Sequence, residues 1–175
     1  MLKFLPLIKL LARHPRALFN RNLINWSYLS DDVCRRDCQR FGFPEGLPTV
    51  DLLSILPGFC ETVEPYSYLE GTSRTIDLAL LKALARRKDC RYLEIGTWRG
   101  ESLANVASVA PHCVSVSLSA REMRQMGLSD AFIENHSVFC RDVSNITVIP
   151  HNSQTLDFSK LGKFDLMFVD GDHSY

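Results

Sequence analysis

Residues Tyr92–Ser102 read YLEIGTWRGES, and this stretch decides the fold. Arg91–Ile95 (RYLEI) is a short strand. Gly96 and Gly100 bracket a turn, GTWRG, and Glu101–Ala110 (ESLANVASVA) is a helix of small residues stopped by Pro111. Gly96 permits a tight turn, and Gly100 lets backbone approach backbone or ligand. The spacing is G-x-x-x-G rather than the G-x-G-x-x-G of a dinucleotide site, and no G-K-[ST] follows to make a P-loop. Ligands of open parallel sheets bind beyond the carboxyl ends of the strands. Glu94 and the turn after it therefore stand at such a site, or form a plain tight βα connection.

Working outward, the pattern repeats. Upstream, Ser73–Lys88 is a helix, capped by Thr72 or Ser73, with Asp77 near the positive end of its dipole. Ile76, Leu80, Leu81 and Leu84 give it one apolar face, and Arg86, Arg87 and Lys88 close it. Downstream come a strand at Cys113–Ser117, a helix at Ala120–Met126, a polar stretch at 127–145 with no clear period, and a strand at Ile146–Pro150. Lys163–Asp170 (KFDLMFVD) is almost continuously apolar, which predicts a strand buried on both faces of a parallel sheet. Alternating strands and helices define an α/β doubly wound fold. Residues 31–72 carry Pro44, Pro48, Pro57 and Pro65 and read as a turn-rich lead-in, with Thr49–Leu56 its clearest helix.

A second stretch carries chemistry: Phe164–Tyr175, FDLMFVDGDHSY. Asp170 ends a strand at the same sheet edge as Glu94, and Asp172 and His173 follow Gly171. Carboxylate and imidazole together suit metal ligation or general-base work, or a capped turn satisfied by backbone.

Composition excludes several classes. The chain has 175 residues, 46% hydrophobic and 23% charged, ordinary for a globular domain. Twenty Lys and Arg balance 20 Asp and Glu, which argues against a nucleic-acid binder built on clustered cations. No apolar run approaches the roughly 18 residues of a membrane span. Cys34, Cys38, Cys60, Cys90, Cys113 and Cys140 include no C-x-x-C pair, so they read as reduced thiols of a cytoplasmic protein rather than a zinc site or a secreted scaffold. The first 30 residues carry Lys3, Lys9, Arg13, Arg16 and Arg21 and no acid. This basic amphipathic extension fits peripheral contact through residues 1–25 with an anionic inner membrane surface, or a helix packed on its own domain or on a partner subunit. Pro6 and Pro15 break it into short pieces. Monomer and homo-oligomer are both compatible with the sequence.

The two stretches resemble the class I S-adenosylmethionine-dependent methyltransferases, closest to the O-methyltransferase branch with E-I-G-T-x-x-G-x-S after the first strand and D-G-D-H-x-Y after the fourth. The resemblance covers residues 66–175. It implies a Rossmann-like methyltransferase fold with a mostly parallel sheet, S-adenosylmethionine as cofactor, and methyl transfer to a hydroxyl of a small molecule or glycan. It implies that Glu94, Gly96, Thr97, Trp98 and Gly100 form the cofactor turn. Asn152 and Ser153 would lie on the adenine side. Asp170 would touch the cofactor and, with His173, serve catalysis, as base or as ligand of a magnesium ion. Where the family has an acid at the end of the second strand, this chain has Ser117-Leu118-Ser119, so Ser117 or Ser119 would take the ribose and Glu122 is the nearest acid. That departure supports an alternative, a non-catalytic partner protein with the same fold. The family fold has seven strands and four are counted here. The expectation is a truncated domain: extension 1–30, lead-in 31–72, and the N-terminal half of the cofactor domain at 73–175.

Overall fold

The computed structural model describes residues 29–69 and 73–171. The expectations for residues 1–28, Thr72, Asp172 and His173 fall outside them. The chain divides into two compact units, residues 1–57 and 58–175. The second unit thus begins inside the stretch read above as lead-in.

In the first unit, α1 spans Leu29–Arg40 and α2 spans Leu52–Ile55. The helix expected at Thr49–Leu56 is a single turn. Asp51 starts it, accepting from the Leu53 N–H at 3.1 Å, while Pro48 and Pro57 bracket it.

In the second unit, Pro65–Tyr68 forms a 3-10 turn and α3 spans Thr75–Ala85. The helix is shorter than expected. Its cap is Arg74, whose N–H donates to Asp77 Oδ2 at 3.2 Å. Its buried face is also different. Leu78, Ala79, Lys82 and Ala85 are buried, while Ile76 is 50% exposed. Lys82 turns inward because its Nζ donates to the Thr62 carbonyl at 2.6 Å, so a charged residue occupies what sequence alone assigns to the polar side.

Strands β1 (Arg91–Ile95), β2 (His112–Ser117), β3 (Ile146–Pro150) and β4 (Leu166–Val169) make an all-parallel sheet in the order β3-β2-β1-β4. Between them lie α4 (Glu101–Ala107), α5 (Ala120–Gln125), α6 (Asp130–Asn135) and a 3-10 turn at Phe158–Leu161. This is the α/β, Rossmann-like architecture the alternation predicts. The stretch at 127–145 gains a helix because Ser129 caps it through the Phe132 N–H at 3.2 Å.

The core joins one sheet face to the helices. Tyr92, Cys113, Leu103, Val106 and Ala107 are buried together, with Phe168 and Ile146 packed against them. Burying a side chain such as Leu103 contributes about 2 kcal/mol. Buried Asn105 ties α4 to the 3-10 turn: Oδ1 accepts from the Glu64 N–H at 3.0 Å, and Nδ2 donates to Ser67 Oγ and to the Glu101 carbonyl, both at 2.8 Å. Asn105→Ala strands these groups, and we expect a loss of about 2–3 kcal/mol in urea unfolding. A loss below about 0.5 kcal/mol would show that water replaces all three bonds.

One expectation is corrected at β4. Leu166 and Phe168 face the core, but Met167 and Val169 are 62% and 61% exposed, so the strand is not buried on both faces. The preceding residues are not strand. Asp165 is fastened to β1 instead: its N–H donates to the Arg91 carbonyl at 2.9 Å and its carboxylate accepts from the Arg91 N–H at 3.0 Å.

Candidate functional site

The turn after β1 is stitched to both neighbouring strands. The Gly96 N–H donates to the Val116 carbonyl at 3.0 Å, and the Asp170 N–H donates to the Ile95 carbonyl at 2.8 Å. Gly96 has φ +90°, and a Cβ there would stand 2.4 Å from the Asp170 carbonyl oxygen and 2.5 Å from Gly171 Cα. The glycine is required by conformation and by space together. Gly100 has φ +92°, and its Cβ would meet Cys140 Sγ at 2.6 Å. The loop after α6 lies over this turn, with Ser137 N–H donating to the Trp98 carbonyl and Phe139 N–H to the Arg99 carbonyl at 2.9 Å.

Glu94 and Thr97 point inward, beneath the turn. Glu94 is 1% exposed. Its carboxylate accepts from the Tyr92 hydroxyl at 2.8 Å and from Thr97 Oγ1 at 3.0 Å, with Ser102 a third side-chain donor. Thr97 Oγ1 lies 2.7 Å from Ser115 Oγ. Because Thr97 spends its proton on an ionised Glu94, Ser115 then donates to Thr97. Burial pushes the Glu94 carboxyl up to about 7, the three hydroxyl donors oppose that rise, and the charge of Asp170 adds to it. Burial and the Glu94 charge also drive the Tyr92 phenol well above its ordinary value.

Trp98 is 40% exposed and stacked on Phe132 at 5.9 Å, and the Arg99 guanidinium lies 4.5 Å from the centre of the indole. Ser117 Oγ donates to the Thr97 carbonyl at 3.3 Å and lies 2.9 Å from His136 Nε2. With that hydroxyl proton on the Thr97 carbonyl, Nε2–H donates to Ser117 and Nδ1 accepts from Ser137 Oγ at 3.0 Å. This arrangement needs a neutral ring, and burial lowers the His136 pKa accordingly. Ser119 caps α5, and its N–H and Oγ both donate to Glu122 Oε2, at 2.8 and 2.7 Å. Asn152 makes a local turn through Oδ1 and the Gln154 N–H at 2.9 Å, with Ser153 half-buried inside it.

The residues singled out by sequence thus fall into two sets. Gly96, Thr97, Gly100, Glu94 and Asp170 gather at the β1 and β4 carboxyl ends. Ser117, Ser119, Asn152 and Ser153 gather at the β2 and β3 ends. Ser117 and Ser119 are both committed to protein partners, and the carboxylate present there is Glu122, which Ser119 and the Asn152 N–H hold below the usual range. Asp170 is exposed, and its carboxylate has no hydrogen bond or ion pair among the described residues. No group of three His, Cys, Asp or Glu that could hold a metal occurs among the described residues, so a divalent ion on Asp170 would draw its other ligands from elsewhere. A pocket of ≈ 330 Å³ opens beside α5 and α6, walled by Leu118, Met123, Ile133 and Val148, with His136 and Arg141 as its polar side.

Sequence reasoning missed Tyr92, Ser115, His136 and Cys140. Tyr92 was within reach, since residues two apart on a strand share a face with Glu94. Ser115 required the β1–β2 register, which pairs it with Glu94. His136 and Cys140 required the fold of an irregular loop.

Residues 93–175, which hold most of this geometry, match the family model of a methyltransferase domain. Among solved structures, the chain is similar to an O-methyltransferase from Bacillus cereus in complex with SAH, at 19% identity over 81% of this chain and 61% of that one, TM-score 0.38. It is also similar to a protein-L-isoaspartate O-methyltransferase, at 19% identity over 79% of this chain and 47% of that one, TM-score 0.36. The chain spans about half the length of these two proteins. A comparison with curated proteins found no match.

Proposed function

We propose that this chain carries the cofactor half of an S-adenosylmethionine-dependent methyltransferase acting on a hydroxyl oxygen of a small molecule or glycan. The observation that carries the reading is the coincidence of the methyltransferase-domain match at 93–175 with a glycine turn packed against the end of β4. When bound, the cofactor supplies a methyl group already activated as an electrophile on a sulfonium. Two observations support the fit: the turn stands at the carboxyl ends of the strands, and the Asp170 carboxylate beside it is exposed, with no partner among the described residues. The protein's task is alignment. Gly96 and Gly100 seat the turn against the β4 end and the loop at Cys140, Trp98 offers its exposed apolar surface, and Asp170 orients the acceptor hydroxyl or takes its proton, a role shared with His173. Magnesium on Asp170 is part of this proposal, and it too would lower the hydroxyl's pKa.

The test is calorimetric titration of S-adenosylhomocysteine, with NAD as control. Saturable binding of the first and none of the second is expected. Asp170→Asn is expected to cut methyl transfer by at least about 100-fold while changing cofactor affinity less than about threefold. Unchanged turnover removes Asp170 from the mechanism.

A second reading, a non-catalytic partner protein of the same fold, is favoured by one observation. Ser117 and Ser119 are both occupied by protein groups where an acid would face the ribose. It predicts no S-adenosylhomocysteine binding by folded protein. The inner-membrane location of the basic extension is proposed separately. Co-sedimentation with anionic vesicles that survives deletion of residues 1–25 rules it out.

A further inference from the structure

Glu94 is placed for a purpose that neither ligand contact nor packing alone explains. A carboxylate that is 1% exposed is costly, and an apolar or amide side chain of similar size would fill the same space. The partners define what it does. Tyr92 comes from β1, Ser102 from α4 and Thr97 from the turn itself, and Thr97 passes the chain on to Ser115 of β2. All these partners are hydroxyls, which can donate or accept without moving a heavy atom. With Glu94 ionised, Thr97 donates to it and accepts from Ser115. With Glu94 protonated, the acid donates to Thr97, and Thr97 turns its own proton to Ser115. The polarity of the hydroxyl chain reverses between the two states, and in the protonated one the Ser115 proton turns away from Thr97.

Facing Glu94 are Tyr92 on the same strand, Cys113 on β2, Cys140 in the loop over the turn, and Asp170 beyond β4. None of these carries a positive charge. The turn's own cation, Arg99, is paired with Glu101 and lies over Trp98, so a cation arriving at the turn would add to the hydroxyl donors in favouring the ionised form, through a buried interior where charges are poorly screened.

We propose that Glu94 is a positioning residue that acts on the turn through Thr97 and couples a proton to the charge of the ligand: binding a cation at the turn expels the Glu94 proton to solvent, whereas binding the neutral-sulfur product does not. The inference rests on the cofactor reading above. It makes the site select the methyl donor over the demethylated product, and it ties product exchange to proton uptake by Glu94. The position of Glu94 near neutrality, set by burial, puts this exchange in an accessible range.

The experiment is calorimetry of S-adenosylmethionine and S-adenosylhomocysteine at pH 6.0 and 7.0, below the range where the ligands' α-amino groups lose protons. Each titration is run in two buffers of different ionisation enthalpy to count protons. At pH 6.0 the methyl donor should release about one proton and the product about none. Donor affinity should rise about fivefold between pH 6.0 and 7.0, and product affinity should stay level. In Glu94→Gln, which can hold Tyr92 and Thr97 as the protonated acid does, both the release and the pH dependence should vanish. Equal proton counts for the two ligands, or a wild-type pH profile in Glu94→Gln, overturn the proposal and leave the cofactor reading standing. No binding of either ligand overturns both.

Discussion

Gly96→Ala is expected to lose about 4 kcal/mol or more of folding stability, enough to abolish a marginally stable domain. Two effects act at this position. The backbone has φ +90°, where an L side chain is strained by about 1–3 kcal/mol. The new methyl would also stand 2.4 Å from the Asp170 carbonyl oxygen and 2.6 Å from the Gly171 nitrogen, both backbone atoms that cannot rotate aside. Relief requires β4 to withdraw, which breaks the Asp170 N–H bond to the Ile95 carbonyl. Gly127→Ala isolates the first effect, since it has φ +80° and nothing within 4 Å; about 1 kcal/mol is expected there. Gly100→Ala should fall between the two, because its obstacle is Cys140 Sγ, the end of a side chain that can swing away. Urea unfolding of the three variants gives the order 96, 100, 127. Equal losses at 96 and 127 would mean that the strand ends are not packed as described.

What was legible in the sequence follows the range of the forces involved. The strands at Arg91–Ile95 and Ile146–Pro150 were legible because β-branched and aromatic runs between turn residues are local signals. The two turn glycines were legible for the same reason, and Glu94 was located but not its orientation. It reads as a ligand contact from its place at a strand end, yet its side chain lies under the turn, held by Tyr92 and Thr97. Orientation depends on which face the helices cover, and that is a tertiary fact. The face of α3 was misjudged likewise: the helix is apolar almost all round, so periodicity could not choose, and the Lys82–Thr62 bond did. Burial of β4 depends on what lies across both sheet faces, which a run of apolar residues does not reveal. The commitments of Ser117 to His136 and of Ser119 to Glu122 needed an irregular loop and a helix cap to be folded first.

Glu94→Gln is expected to be more stable than the wild type at pH 8 and to lose that advantage by pH 5. The carboxyl binds its proton more tightly in the folded chain, at about 7, than at its ordinary value of 4.5. Between those values the folded state holds more protons than the unfolded state, so stability falls as pH rises through the window. The full difference corresponds to about 3 kcal/mol, present below pH 4.5 and gone above pH 7. The substituted amide has no proton to lose in this range. Its carbonyl can accept from the Tyr92 hydroxyl and its NH2 group can donate to Thr97 Oγ1, so these two bonds survive at every pH. Glu94→Ala, by contrast, leaves the hydroxyls of Tyr92, Thr97 and Ser102 without their acceptor and opens a cavity, a loss of about 3 kcal/mol relative to Glu94→Gln at every pH. His136 contributes in the opposite sense. Its lowered pKa means that acid destabilises the folded chain as the unfolded ring takes up its proton first. The informative quantity is therefore the difference between wild type and Glu94→Gln in urea unfolding at pH 5, 6, 7 and 8, from which His136 cancels. A difference that does not change with pH would mean that Glu94 is ionised throughout, held by its hydroxyls against burial, and the proton coupling inferred for it would have no proton to move.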